Sequence, residues 1–181
     1  MRNTVHVSLA VAVVAALFTG CQTAPQTQTD KDKLHDEVRI AILRFKDKDD
    51  GMDRFFSSAH GYAVFPSVGR GGFIVGGAYG KGELYVKDKM VGYCDLSQGS
   101  IGAQIGGQGY REIIFFETAA ALKSFQAGTF EFAGQASAVA ASAGASTDVD
   151  YEHGVAVFTM ARGGLMVEAS IGGQNFSYQA K

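Results

Sequence analysis

The pattern of apolar positions predicts an N-terminal helix over Asp30–Phe45. Apolar residues recur at i, i+4, i+7 and i+11, which places them on one face of a helix. They are Leu34, Val38, Ala41 and Phe45. Acidic residues lead this segment, basic residues follow it, and Gly51 lies just beyond its end. A shorter helix is predicted over Met52–Ala59, and Thr118 is the expected N-cap of a third helix over Ala119–Gln126.

Beyond Gly61 the period of the pattern changes to two, which is typical of β-strands with one apolar face. Alternating runs cover Gln98–Tyr110 and Leu165–Gly172. The segment Ala136–Ser146 consists almost entirely of alanine and serine, and we interpret it as a strand of small side chains.

Glycine is concentrated in these strand-like segments, with eight glycines in Gly61–Val86 alone. A nucleotide-binding turn requires a glycine-rich turn followed by a helix, but the residues after Gly72 show no helical period. Glycine inside a strand marks a bulge, a sharp bend or a close approach of another backbone. The glycines are therefore interpreted as architectural, in a strongly curved sheet.

An internal repeat supports this interpretation. The motif His60–Phe65 recurs as His153–Phe158, and Arg70–Val75 recurs as Arg162–Val167. Two related units about 90 residues apart predict pseudo-symmetric halves of one β structure, since the copies are too few for a solenoid. The expected fold class is α+β: a strongly curved antiparallel β-sheet or barrel-like core, covered by the N-terminal helix and one inserted helix.

The first twenty residues have the pattern of a signal peptide, with Arg2 before a short apolar run. The run ends at Gly20-Cys21, which resembles a bacterial lipobox, although Leu17 stands one position further from the cysteine than is usual. We expect residues 1–20 to be a signal peptide, 21–30 a lipidated tether attached through Cys21, and 31–181 the domain. The alternative is an ordinary secretory signal, cut near Ala24.

The charge balance excludes non-specific binding to nucleic acid. The chain has 16 basic and 18 acidic residues, a net charge of −2, and loss of Arg2 with the signal peptide makes it −3. Any recognition of an anion must therefore come from a local cluster of basic side chains. Because Gln22 rather than aspartate follows the cysteine, the expected location is the outer membrane of a bacterial envelope.

The glycine-rich region closely resembles the SYLF domain family. The likeness rests on Ala63–Val68, Arg70–Phe73, Gly76–Gly82, Ser100–Gln108 and Ile113–Phe116, and it covers roughly residues 35 to 178. The resemblance implies a lipid-binding module, since eukaryotic members bind phosphoinositides and, in yeast, actin. Actin binding is not carried over to an exported protein. The N-terminal segment here mixes acidic and basic residues, unlike the basic amphipathic segment of those members.

Three basic residues are candidates for contact with lipid or another anion. Arg70 and Arg162 occupy equivalent turns of the repeat, each followed by two glycines, and Lys81 lies near a predicted hairpin. A guanidinium beside successive backbone N–H groups can hold an anion. The alternatives remain open: each arginine caps a turn or pairs with a carboxylate, and the lysines of the hairpin keep an edge strand soluble.

Nothing in the sequence has the arrangement of an active site or requires a cofactor. His60 and His153 recur in the repeat but lack the spacing of a metal site. Cys94 lies in a strand-like run and is expected to be a buried apolar residue. The expected function is lipid binding without catalysis. The competing class is a scaffolding protein of the envelope that binds a protein partner.

Overall fold

The computed structural model describes residues 23–71, 75–101, 109–130, 132, 137–162, 169–170 and 173–181. These form three helices, α1 (Gln28–Lys48), α2 (Met52–Ser58) and α3 (Ala119–Gln126). Eight strands complete the fold: β1 (Gly61–Gly71), β2 (Val75–Val86), β3 (Lys89–Ile101), β4 (Tyr110–Phe116), β5 (Ser137–Ala140), β6 (Val155–Ala161), β7 (Ala169–Ser170) and β8 (Gln174–Ala180).

The strands form one sheet in the order β7-β5-β6-β4-β1-β2-β3-β8. The α+β class is confirmed, but the sheet is mixed rather than wholly antiparallel, because β5 runs parallel to β6. Among the described residues, no pairing joins β7 to β8, so the sheet is curled but open. Of the predicted strands, residues 102–108 and 163–168 lie outside the described part of the chain, and the segment after Ala140 turns instead of continuing as a strand.

Helix α1 begins at Gln28, two residues before the predicted start. The Thr27 hydroxyl caps this helix by accepting a hydrogen bond from the backbone N–H of Asp30 at 3.1 Å. All four residues of the predicted apolar face are buried. Helix α3 begins as predicted, because the Thr118 hydroxyl accepts a hydrogen bond from the N–H of Ala121.

The sheet is apolar on both faces. Helices α1 and α2 cover the outer face, where Val38 and Phe45 pack with strand residues such as Val64 and Phe158. The opposite, concave face holds the core that packs against α3, including the residues Phe65, Ile114, Phe116, Phe125 and Phe176. The rings of Phe65 in β1 and Phe176 in β8 are 6.0 Å apart, although these strands stand three places apart in the sheet order. The sheet therefore curls around the concave face.

A β-bulge at Pro66 explains a proline inside a central strand. The pairing of β1 shifts register between Val64 and Ser67 on the β2 side, and between Phe65 and Val68 on the β4 side. Proline has no N–H to donate to a ladder, so a bulge is where a strand tolerates it. Phe65 and Val68 both face the concave core, which leaves Ser67 on the outer face.

The two copies of the repeat are both strands, and they flank β4 on either side. Their registers differ, however, because Val64 and Phe158 both pair with Ile113. The equivalent residues Phe65 and Phe158 therefore lie on opposite faces, Phe65 in the concave core and Phe158 beneath α1 and α2. The repeat thus predicts strand positions correctly but does not preserve the direction of side chains.

Candidate functional site

Lys81 lies on the outer face of β2 and is engaged in internal contacts. Its Nζ is 3.1 Å from Asp95 Oδ1 and donates a hydrogen bond to the Thr23 carbonyl at 2.9 Å. Burial lowers the pKa of Lys81, but contacts with Tyr79 and Asp95 outweigh this effect and raise the pKa above its ordinary value. The structure thus pairs Lys81 with a carboxylate, which is one of the alternatives left open by the sequence.

Arg162 follows β6 and is exposed at the same end of the sheet. Its backbone N–H donates to the Gly109 carbonyl at 2.9 Å, and its guanidinium donates to the Ser67 hydroxyl. Ser67 is the β-sheet partner of Lys81, so the bulge brings Arg162 and Lys81 to either side of one serine. Arg70 pairs with Ala78 through its backbone, and its side chain lies outside the described part.

Two further arginines complete a basic cluster that the sequence did not predict. Arg111 is half-buried on β4, and Arg44 is exposed near the end of α1. Burial lowers the pKa of Arg111, and the positive charges of Arg162 and then Arg44 lower it further. We call these three residues the arginine cluster. None of them forms an ion pair with another residue in the part of the chain that the structure describes.

The arginine cluster has the chemistry of an anion site. Guanidinium groups donate paired hydrogen bonds to phosphate or carboxylate, and partial burial strengthens such contacts. A bound anion would also relieve the mutual repulsion that lowers the pKa of Arg111. Arg111 gave no signal in the sequence beyond a single charge in the otherwise apolar strand Tyr110–Phe116, and its proximity to Arg44 and Arg162 exists only in three dimensions.

Helix α1 is attached to the sheet through a buried carboxylate as well as through apolar packing. Glu83 on β2 is only 1% exposed. Its Oε2 accepts a hydrogen bond from the Tyr85 hydroxyl at 2.6 Å and lies 3.0 Å from Nδ1 of His35 on α1. This contact fixes where α1 crosses the sheet and hence where Arg44 lies.

Two open grooves flank α1. The first, of about 400 Å³, lies between α1 and the N-terminal segment and is lined in part by Lys33, Glu37 and Lys81. The second, of about 600 Å³, lies on the other side of α1, beside Lys46 and Tyr62. Each groove carries charges of both signs, so neither is a purely apolar lipid pocket.

The paired histidines lie at the other end of the sheet. The His60 N–H donates to the Phe116 carbonyl, and Glu117 N–H donates to the carbonyl of Gly154, the residue after His153. His153 has a positive φ of 52°. Within the described ranges, no three metal-ligating side chains come together. Cys94 is fully buried, and burial raises the pKa of its thiol, as expected of an apolar core residue.

Comparison with known proteins supports the family resemblance. The family described as "Ysc84: Las17-binding protein actin regulator" matches residues 97–181. These residues belong to the SYLF family. The SYLF match begins within β3 and includes Arg111 and Arg162, whereas Arg44 and Lys81 precede it. No helix in the described part of this SYLF protein is long and apolar enough to cross a membrane.

A curated bacterial relative gives a second point of comparison. The chain is 26% identical over 139 residues to "Beta cell expansion factor A" of Aeromonas veronii. The similarity covers 75% of this SYLF chain and 52% of the relative, so it spans about half of the relative's length.

Proposed function

We propose that this SYLF protein is an envelope lipoprotein that binds anionic membrane lipid through the arginine cluster. The observation that carries this proposal is the convergence of Arg44, Arg111 and Arg162, which lowers the pKa of Arg111. A phosphate headgroup supplies the missing negative charge and accepts the paired hydrogen bonds of a guanidinium. Attachment through Cys21 at the outer membrane, predicted from the lipobox, would hold the domain beside such headgroups. No catalytic step belongs to this function.

The test uses the unacylated chain of residues 22–181, which contains every described residue. Sedimentation with vesicles of phosphatidylcholine, with and without phosphatidylglycerol, measures the preference for an anionic surface. Each arginine near such a surface contributes roughly 1 kcal/mol, so Arg162→Ala should weaken binding about fivefold. Raised salt should weaken the binding of the unchanged protein. Arg70→Ala, tested beside it, decides whether this predicted residue belongs to the site.

The matched control is Lys89→Ala. Lys89 is exposed at the opposite end of the sheet, where it pairs with Val86. Its loss removes the same charge and should leave binding nearly unchanged. Equal losses for Arg162→Ala and Lys89→Ala would show that only net charge matters. A protein that ignores phosphatidylglycerol would favour the competing function, a scaffold that binds a protein partner.

A further inference from the structure

The N-terminal segment is fixed to the sheet at a defined point. Besides the bond from Lys81 Nζ to the Thr23 carbonyl, the Thr23 hydroxyl lies 3.0 Å from the Ser177 hydroxyl. The Ala24 N–H donates to Gln179 Oε1 at 3.2 Å, and Ala24 is only 7% exposed. We call these contacts the N-terminal clasp. It fixes the backbone two residues after Cys21, a distance that an extended chain spans with about 7 Å.

One flank of α1 connects the N-terminal clasp to the arginine cluster. Lys33, Glu37, Ile40 and Arg44 follow one another at spacings of four, three and four, so they share one side of the helix. Lys33 and Glu37 line the groove with Lys81 of the clasp. Arg44, at the other end, belongs to the arginine cluster. The eleven residues between Lys33 and Arg44 correspond to about 16 Å along the helix.

The large apolar side chains that are exposed among the described residues lie along this same surface. Ile40 is 49% exposed, Leu43 is 64% exposed and Tyr79 is 49% exposed. Leu43 is adjacent to Ile40 on the helix, and the Tyr79 ring lies 5.8 Å from Lys81 Nζ of the clasp. Exposed apolar groups among basic side chains are typical of a surface that enters the headgroup layer of a membrane.

The charges of this surface also match an anionic leaflet. Its basic side chains are Lys33, Lys81 and the arginine cluster, and they outnumber the acidic Glu37 and Asp95, although the whole chain has a net charge of −2. The excess of positive charge is therefore local. A bilayer with anionic headgroups complements both the charge and the exposed apolar groups.

We propose that this flank of α1 is the surface that lies against the membrane in which the protein is anchored. The clasp places the acylated Cys21 at one end, the arginine cluster contacts headgroups at the other, and Ile40 and Leu43 enter the headgroup layer between them. This inference rests on the proposed function, since it takes Cys21 as the anchor, and it adds a fixed orientation of the domain. The interpretation of residues 21–30 as a free tether predicts no such orientation.

The test attaches a fluorophore to the acylated full chain at one of two introduced cysteines. Leu43→Cys places the label on the proposed surface, and Lys89→Cys places it at the opposite end of the sheet. Cys94 is fully buried, and an acylated Cys21 has no free thiol, so labelling is specific. In vesicles of phosphatidylethanolamine and phosphatidylglycerol with nitroxide-labelled headgroups, quenching at position 43 should exceed quenching at position 89 several-fold.

A clasp variant and an unacylated control separate the possible outcomes. The double variant Ser177→Ala and Gln179→Ala removes two contacts of the clasp, so the difference between the two labels should shrink. Equal quenching at positions 43 and 89 in the intact protein would overturn the proposed orientation, even if unacylated protein still prefers phosphatidylglycerol. Unequal quenching without that preference would overturn the proposed headgroup specificity and keep the orientation. Mass spectrometry that finds no acyl group on Cys21 overturns the inference and the anchor together.

Discussion

The guanidinium of Arg162 donates a hydrogen bond to the hydroxyl of Ser67, a residue that the bulge at Pro66 turns toward the outer face of the sheet. This bond holds one arginine of the cluster beside the other two. Ser67→Ala should leave the fold intact and reduce binding to phosphatidylglycerol vesicles about threefold, since one hydrogen bond contributes about 0.5–1.5 kcal/mol. Ser57→Ala, an exposed serine on α2, is the control and should bind as the unchanged protein does.

The hydrogen bond from Tyr85 to Glu83 should matter for stability. Tyr85→Phe leaves a carboxylate that is 1% exposed with one donor fewer, which we expect to lower the free energy of unfolding by about 1–3 kcal/mol. Urea titration followed by circular dichroism measures the change. Tyr178→Phe is matched to it, because the half-buried Tyr178 hydroxyl donates to the Val91 carbonyl, a neutral acceptor. A loss no larger than that of Tyr178→Phe would contradict the role given to Glu83.

Asp49 should make the protein sensitive to acid. Burial raises the pKa of Asp49, but hydrogen bonds from Ser146 and Gly51 outweigh it and hold the pKa below the ordinary 3.8. Asp49 Oδ2 accepts from Ser146 N–H at 2.7 Å, and Oδ1 accepts from Gly51 N–H at 3.0 Å. Because the folded pKa is depressed, the stabilisation is present above about pH 4 and is lost as pH falls through the folded value.

The variant Asp49→Asn tests this dependence. It should be less stable than the unchanged protein at pH 7, and the difference in urea midpoint between the two should narrow at pH 3. A difference that stays constant between these pH values would show that the carboxylate charge of Asp49 contributes nothing.

The architectural role of glycine can be tested with a matched pair of substitutions. A Cβ at Gly82 would meet the Val64 carbonyl oxygen and lie 2.8 Å from the ring of Phe65. A Cβ at Gly99 would meet nothing within 4 Å. Gly82→Ala should therefore lower the free energy of unfolding by about 1–3 kcal/mol, and Gly99→Ala should change it little. Similar urea midpoints for both variants would argue against close packing at Gly82.

The sequence predicted local structure well because local signals determine it. The apolar spacing of Leu34, Val38, Ala41 and Phe45 identified α1, and the capping residue Thr118 identified the start of α3. The start of α1 was placed at Asp30 rather than Gln28, because the first turn carries no apolar residue and only Thr27 marks it.

Side-chain direction was the part that sequence reasoning could not supply. The repeated motifs suggested equivalent positions for Phe65 and Phe158, but register sets the face, and a shift by one residue reverses it. The arginine cluster was missed for a related reason. Arg44, Arg111 and Arg162 come from three elements far apart in sequence, and only the crossing of α1 over the sheet brings them together.

The N-terminal clasp has a consequence for how strong a headgroup site needs to be. For a chain acylated at Cys21, a backbone held at Thr23 keeps the domain within a few ångströms of its anchor. Short linkers give effective concentrations of about a millimolar or more, so a site with millimolar intrinsic affinity would already be substantially occupied. Weak and lipid-tolerant contacts then suffice in the cell, and the same domain separated from its anchor binds far more weakly. Selection on such a site would act on geometry more than on affinity.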